Sequence, residues 1–125
     1  MKVLSVEQMN RLKELGVAVK PKGMCLMYTS DSSDNYYLKY GESTCEDDVA
    51  AFSLQDLIEL LPKSIIINSV KHWFCVSQNC LLTEFQVMYF DGYDSYGVIK
   101  QNKSLLQAAY NMLIWVIENN YLKTK

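Results

Sequence analysis

A chain of 125 residues fits a single domain (1–125) and can bury a core without disulfide or metal staples. Hydrophobic residues make up 50% and charged residues 21%, a globular balance that excludes long-range disorder. The net charge of −2, with Arg11 the sole arginine, argues against the basic footprint of a nucleic-acid binder.

The opening Met1-Lys2-Val3-Leu4 places charge ahead of any apolar run, so no secretory signal is expected. The longest strong apolar run, Met112 to Ile117, falls far short of the roughly 18 residues that span a bilayer. These features predict a cytoplasmic protein with no membrane association. Cys25, Cys45, Cys75 and Cys80 are then expected to be reduced thiols.

Ser5 to Leu15 reads as a short helix. Ser5 and Gln8 form a capping-box pattern, Val6, Met9, Leu12 and Leu15 share one face, and Gly16 ends it. Met24 to Thr29 and the alternating Tyr36 to Tyr40 predict two strands of a hairpin, with the turn-rich Ser30 to Asn35 as its tip. Gly41 to Ala50 reads as a polar, acidic loop. Ser53 caps a second helix with Leu54, Leu57, Ile58 and Leu61 on its apolar stripe, and Pro62 stops it.

Three strand-like runs follow: Ile65 to Ile67, Val70 to Ser77 and Glu84 to Phe90. Asn68-Ser69 is a tight turn between the first two, and Gln78 to Thr83 is a loop. Asp91 to Gly97 reads as a turn-rich loop. Ser104 caps a last helix that runs to about Asn119 or Asn120 and is apolar on most sides. The fold class is α+β: a mostly antiparallel sheet of about four or five strands with three helices, in the order α-β-β-α-β-β-β-α. One sheet face hides only one side of a helix. The last helix therefore needs flanking helices or a second subunit to cover the rest.

Catalytic signatures are sparse. His72 is the only histidine, which excludes a multi-histidine zinc site within one chain. The spacing of Cys75 and Cys80 lacks the second close pair of a structural zinc site. His72 and Cys75 stand three apart on a strand and so point to opposite faces, which keeps this pair from acting as base and nucleophile. Glu46-Asp47-Asp48, Asp31 with Asp34, and Asp91 with Asp94 match no calcium loop and read as solvated carboxylates. No glycine-rich phosphate loop or nucleophile elbow occurs. No catalytic residue, metal or cofactor is expected.

Aromatic residues are 12% of the chain, with 9 tyrosines. Tyrosine and tryptophan are enriched at the centres of protein interfaces. Tyr36, Tyr37, Trp73, Tyr93 and Tyr96, on strands or their flanking loops, are the candidate partner-binding residues. The expectation is a non-enzymatic protein-interaction module, with a protein partner or a homodimer. Two alternatives are a nucleic-acid accessory protein, since aromatics also stack on single-stranded bases, and a small hydrolase or transferase with an acidic or thiol site drawn from Asp91, Asp94, His72 and Cys75.

Three segments carry a resemblance: Met1 to Met9, Ser53-Leu54-Gln55-Asp56-Leu57-Ile58-Glu59-Leu60-Leu61-Pro62, and Ala108 to Asn119. In these the chain resembles small uncharacterised proteins of gut bacteria that are carried near phage or other mobile-element genes. The resemblance implies the same succession of helices and strands and a mobile-element origin. That family has no established activity, so it assigns no site residue.

Overall fold

The computed structural model describes residues 2–30, 35–78, 83–93 and 95–122. Asp31, Asp34, Cys80 and Asp94, weighed in the sequence, and most of the loops predicted at 30–35 and 78–83 lie outside those residues. The chain forms two compact units, one of residues up to Ser53 and one from Leu54 onward.

In the first unit, α1 (Val6–Glu14) begins with the predicted capping box. The Gln8 amide donates to Ser5 Oγ and the Ser5 amide donates to Gln8 Oε1. Gly16, at φ +94°, closes it. The Gly16 amide donates to Lys13 O and the Val17 amide to Leu12 O, the paired bonds that satisfy a helix's last carbonyls when a left-handed residue follows it. Strands β1 (Cys25–Ser30), β2 (Tyr36–Gly41) and β3 (Val49–Ala50) form an antiparallel sheet in the order β2-β1-β3. Leu4, Met9, Leu12, Met27 and Val49 are among its buried residues. The Tyr28 hydroxyl ties the sheet to the N-terminal segment by donating to Leu4 O at 2.6 Å.

In the second unit, α2 (Leu54–Leu60) precedes β4 (Ser64–Ile67), β5 (Val70–Gln78), β6 (Phe85–Phe90) and β7 (Tyr96–Asn102), and α3 (Leu105–Glu118) closes it. The strands form an antiparallel meander in chain order. Asn68 and Ser69 both adopt positive φ, 51° and 69°, as the two-residue turn joining β4 to β5 requires. On one face lie Ile65, His72, Tyr89 and Val87, all buried. Helix α3 packs against β6 and β7, and α2 packs against α3.

The α+β class, the three helices and the antiparallel pairing are as predicted, with two refinements. The strands divide between two sheets, because hairpins pair strands that are neighbours in sequence and α2 interrupts that succession. Two strands are not predicted: β3 lies in a segment that reads as loop, and β7 begins at the end of the predicted Asp91 to Gly97 loop and runs on through residues given no element. β3 is only two residues long and is held by tertiary pairing: Met27 opposite Ala50, Tyr28 opposite Val49, and the Ala50 amide donating to Val19 O. β7 is hidden because an irregularity in its register opposite Tyr89 and Phe90 breaks the alternation at Gly97.

Gly97 is needed where it stands. A Cβ there would overlap Ile67 Cδ1 and lie 3.1 Å from His72 Cδ2 and 3.3 Å from His72 Nε2. Ile67 can swing its tip aside. His72 cannot as readily, because it is buried with Nδ1 held 2.8 Å from Val70 O. Gly97→Ala is expected to lower stability by about 1–3 kcal/mol through overpacking. The check is a shift in urea midpoint at unchanged slope; no shift would mean that the ring gives way freely.

The predicted need to cover α3 is met within the chain. Ala108, Ala109, Met112, Leu113, Val116 and Ile117 are buried, and Leu105, Tyr110, Ile114 and Trp115 are half-buried. Trp115 stacks on Tyr121, with centroids 5.3 Å apart and planes at 18°. Only Glu118 of the helix is exposed. The helix therefore presents no exposed apolar side chain.

Candidate protein-binding surface

Antiparallel register decides which side chains share a face, because directly opposed residues project to the same side. On the second unit, Ser64 pairs with Trp73, Trp73 with Phe90, and Phe90 with Tyr96. This makes one row across all four strands on the face opposite His72, Tyr89 and Val87. The next row is Cys75, Met88 and Ile99, and the one beyond is Ser77, Gln86 and Gln101. On the other side of the aromatic row, Ile66 pairs with Lys71.

The face is thus graded along its strands. At one end, Gln86 Nε2 donates to Gln101 Oε1 at 2.8 Å, Ser77 Oγ donates to Gln86 Oε1 at 3.3 Å, and Gln101 Nε2 donates to Glu84. These side chains satisfy one another in a polar ladder. At the other end lies the apolar part. Trp73 is 48% exposed, Tyr96 53%, Ile66 64% and Ile99 40%. Phe90 and Tyr96 rings lie 4.7 Å apart at 31°, and Lys71 Nζ sits 5.5 Å from the Trp73 ring centroid. The ammonium is drawn to the negative face of the indole, which leaves part of the ring open.

Tyr93 lies in the loop between β6 and β7 and is 88% exposed. Asp91 braces this loop: its Oδ1 accepts from the amides of Tyr93 at 2.8 Å and Ser95 at 3.2 Å. Tyr36 and Tyr37 belong to β2 in the first unit and are both exposed. The structure therefore brings Trp73 and Tyr96 of the predicted set into one row, places Tyr93 on the loop entering that row's last strand, and puts Tyr36 and Tyr37 on a separate strand.

Sequence reading missed Phe90, which joins Trp73 to Tyr96, and the exposed Ile66 and Ile99 around it; Met88, between Cys75 and Ile99 in the next row, is buried. The alternation Lys71, Trp73, Cys75 on β5 was the available signal. Its partners on β6 and β7 could be identified only from the register.

Among the described residues weighed for catalysis, the histidine and the thiol do not come together. His72, opposite Ile65, and Cys75, opposite Met88, lie on opposite faces of β5. His72 is buried beside Gly97. The Asp91 carboxylate is engaged by its own loop. Among the described residues no group of three or more His, Cys, Asp or Glu side chains could hold a metal.

Asp48 departs from the expectation of a solvated carboxylate, for it is buried. Its Oδ2 accepts from Ser43 Oγ at 3.0 Å and from the amides of Thr44 at 3.2 Å and Cys45 at 3.3 Å. The nearby Thr29 hydroxyl contributes most to holding its pKa below the ordinary value. Desolvation opposes this, and the Ser43, Thr44 and Cys45 donors add to it. Oδ1 meets no donor in hydrogen-bonding geometry, so we ascribe the Thr29 effect to proximity rather than to a formed bond. Asp48 pins the loop before β3 and is structural. The open depression of about 500 Å³ lined by Lys20, Glu42, Ser43, Cys45 and Glu46 is shallow and polar.

No helix among the described residues is long and apolar enough to cross a membrane. In comparisons with known proteins, the chain matches no family model, no curated protein and no solved structure.

Proposed function

We propose that this protein is a non-enzymatic protein-interaction module whose contact surface is the open face of the second unit's sheet, centred on Trp73, Phe90 and Tyr96. The sequence resemblance suggests the setting of an accessory protein of a phage or mobile element. The observation that carries the reading is the cross-strand row itself. Two large aromatics, each about half exposed, flank a third on adjacent strands, with aliphatic residues on either side. Burial of exposed aromatics is the usual source of interface hot spots. A rim of amides and one lysine suits a protein partner better than a nucleic acid, which would need several cations along the same face.

The test replaces Trp73 and Tyr96 singly with alanine. Both project from the open face, so each variant should keep its fold, with a stability change of about 1 kcal/mol or less. A partner captured by the wild-type protein should bind each variant at least tenfold more weakly, equivalent to about 1.4 kcal/mol or more. Equal binding by all three proteins would refute the assignment. Tight, salt-dependent binding of single-stranded oligonucleotides, lost in the same variants, would favour the nucleic-acid alternative instead.

A further inference from the structure

The first unit carries a second unpartnered feature, independent of the face just described. β2 is the edge strand of its sheet, and among the described residues no strand pairs with its outer side. Edge strands are usually blunted by proline, bulges, charge or short length, because their free amides and carbonyls are a template for another strand. β2 has six residues, no proline and one charge, Lys39, and its pairing with β1 is continuous from Tyr36 to Gly41. Tyr36, Tyr37, Leu38 and Tyr40 are all exposed, Tyr40 at 65%. Both faces of the strand are thus open, as well as its edge.

We infer that β2 is a self-association site, at which two copies of this chain pair their β2 strands antiparallel about a two-fold axis at Leu38. The occupant follows from the order of residues. A two-fold axis normal to the sheet opposes residues of the same face, so the axis must pass through a residue, and three centres bring most of the strand into play. Centring on Lys39 opposes two ammonium groups. Centring on Tyr37 carries Tyr40 beyond the Tyr36 end of the other copy's strand. Centring on Leu38 opposes Leu38 to Leu38, Tyr36 to Tyr40 and Tyr37 to Lys39. Tyr36, Leu38 and Tyr40 then each gain an apolar or aromatic partner, and each Lys39 faces a Tyr37 ring rather than its own kind. Such an isologous contact closes on itself, giving a dimer rather than a fibre. The two three-stranded sheets would become one sheet of six strands, in the order β3-β1-β2-β2-β1-β3.

The register makes the inference testable at residue level. Opposed residues in an antiparallel pair have Cα atoms roughly 4.5–5.5 Å apart, within reach of a disulfide. In the full chain, Leu38→Cys should form a covalent dimer when treated with diamide, which takes up the two thiol hydrogens. Tyr36→Cys and Tyr40→Cys should each fail to cross-link alone and should cross-link when mixed. The unsubstituted chain, with its native thiols, sets the background. Sedimentation should show a concentration-dependent dimer. Leu38→Lys should weaken it at least tenfold, with circular dichroism confirming that the variant is folded. Trp73→Ala and Tyr96→Ala should leave the dimer intact, which separates this site from the one proposed for a partner. A monomer at all concentrations would overturn the inference. So would cross-linking of Tyr40→Cys with itself, or a dimer abolished by Trp73→Ala.

Discussion

Replacing Tyr89 by alanine is expected to destabilise the second unit by about 3–5 kcal/mol, the range for removing a large buried aromatic. Tyr89 is fully buried on the central strand β6. Its ring meets Phe74, with centroids 5.7 Å apart at 59°, and its hydroxyl donates to Pro62 O at 2.7 Å. That hydroxyl links the middle of the sheet to the segment between α2 and β4. Tyr89→Phe keeps the ring and removes only the bond, so it should cost about 1 kcal/mol. Denaturant unfolding of the three proteins separates the packing from the hydrogen bond.

The same residue predicts an alkaline limit. Burial raises the Tyr89 phenol well above its ordinary value of 10.0. Below pH 10 neither state ionises and the stabilisation is fully present. Above it the unfolded chain loses a proton that the folded chain keeps. Stability should therefore fall by about 1.4 kcal/mol per pH unit until the folded phenol itself titrates. Tyr28 shifts in the same direction, by burial first and the Glu7 charge second, and should add to the loss. Tyr89→Phe should make the decline shallower. An unchanged profile would mean that the phenol ionises without unfolding.

Leu113→Ala in α3 is expected to cost about 2–5 kcal/mol, since a cavity adds to the lost burial when neighbours cannot collapse. Leu113 is fully buried, as are Ala108, Met112 and Val116. Their spacing turns one stripe of the helix toward the β6–β7 side and α2. Ile114→Ala, one position along and half-buried, should cost distinctly less. Near-equal losses would indicate that α3 is gripped all round rather than along a stripe. Neither variant touches Trp73, Tyr96 or Leu38. Both should retain partner binding and self-association under conditions where they stay folded.

Local chemistry determined much of this protein. Ser5, Gln8 and Gly16 start and stop α1, because an orphan amide needs an acceptor and a left-handed residue needs no Cβ. Ser104 caps α3: the Gln107 amide donates to its Oγ at 3.3 Å. Asn68-Ser69 turns the chain between β4 and β5. The high proportion of apolar residues in α3 announced its burial: one stripe is buried and the other residues, Glu118 apart, are half-buried. The opposed directions of His72 and Cys75 followed from strand periodicity alone.

Only the tertiary structure decided the rest. β3 has no propensity of its own and exists because β1 and Val19 offer it hydrogen bonds. β7 is invisible to periodicity because its alternation breaks at Gly97, where close packing tolerates no side chain. Asp48 reads like its neighbours Glu46 and Asp47 until the fold withdraws it from water and surrounds it with donors. The candidate surfaces divide in the same way. Tyr36 and Tyr37 could be read as exposed aromatics, but that β2 is an edge depends on which strands pair. Trp73 and Tyr96 are 23 positions apart in the chain and become neighbours of Phe90 only through the register of three strands. Propensity acts over a few residues, whereas register is set by long-range pairing, and that pairing turns scattered aromatics into a surface.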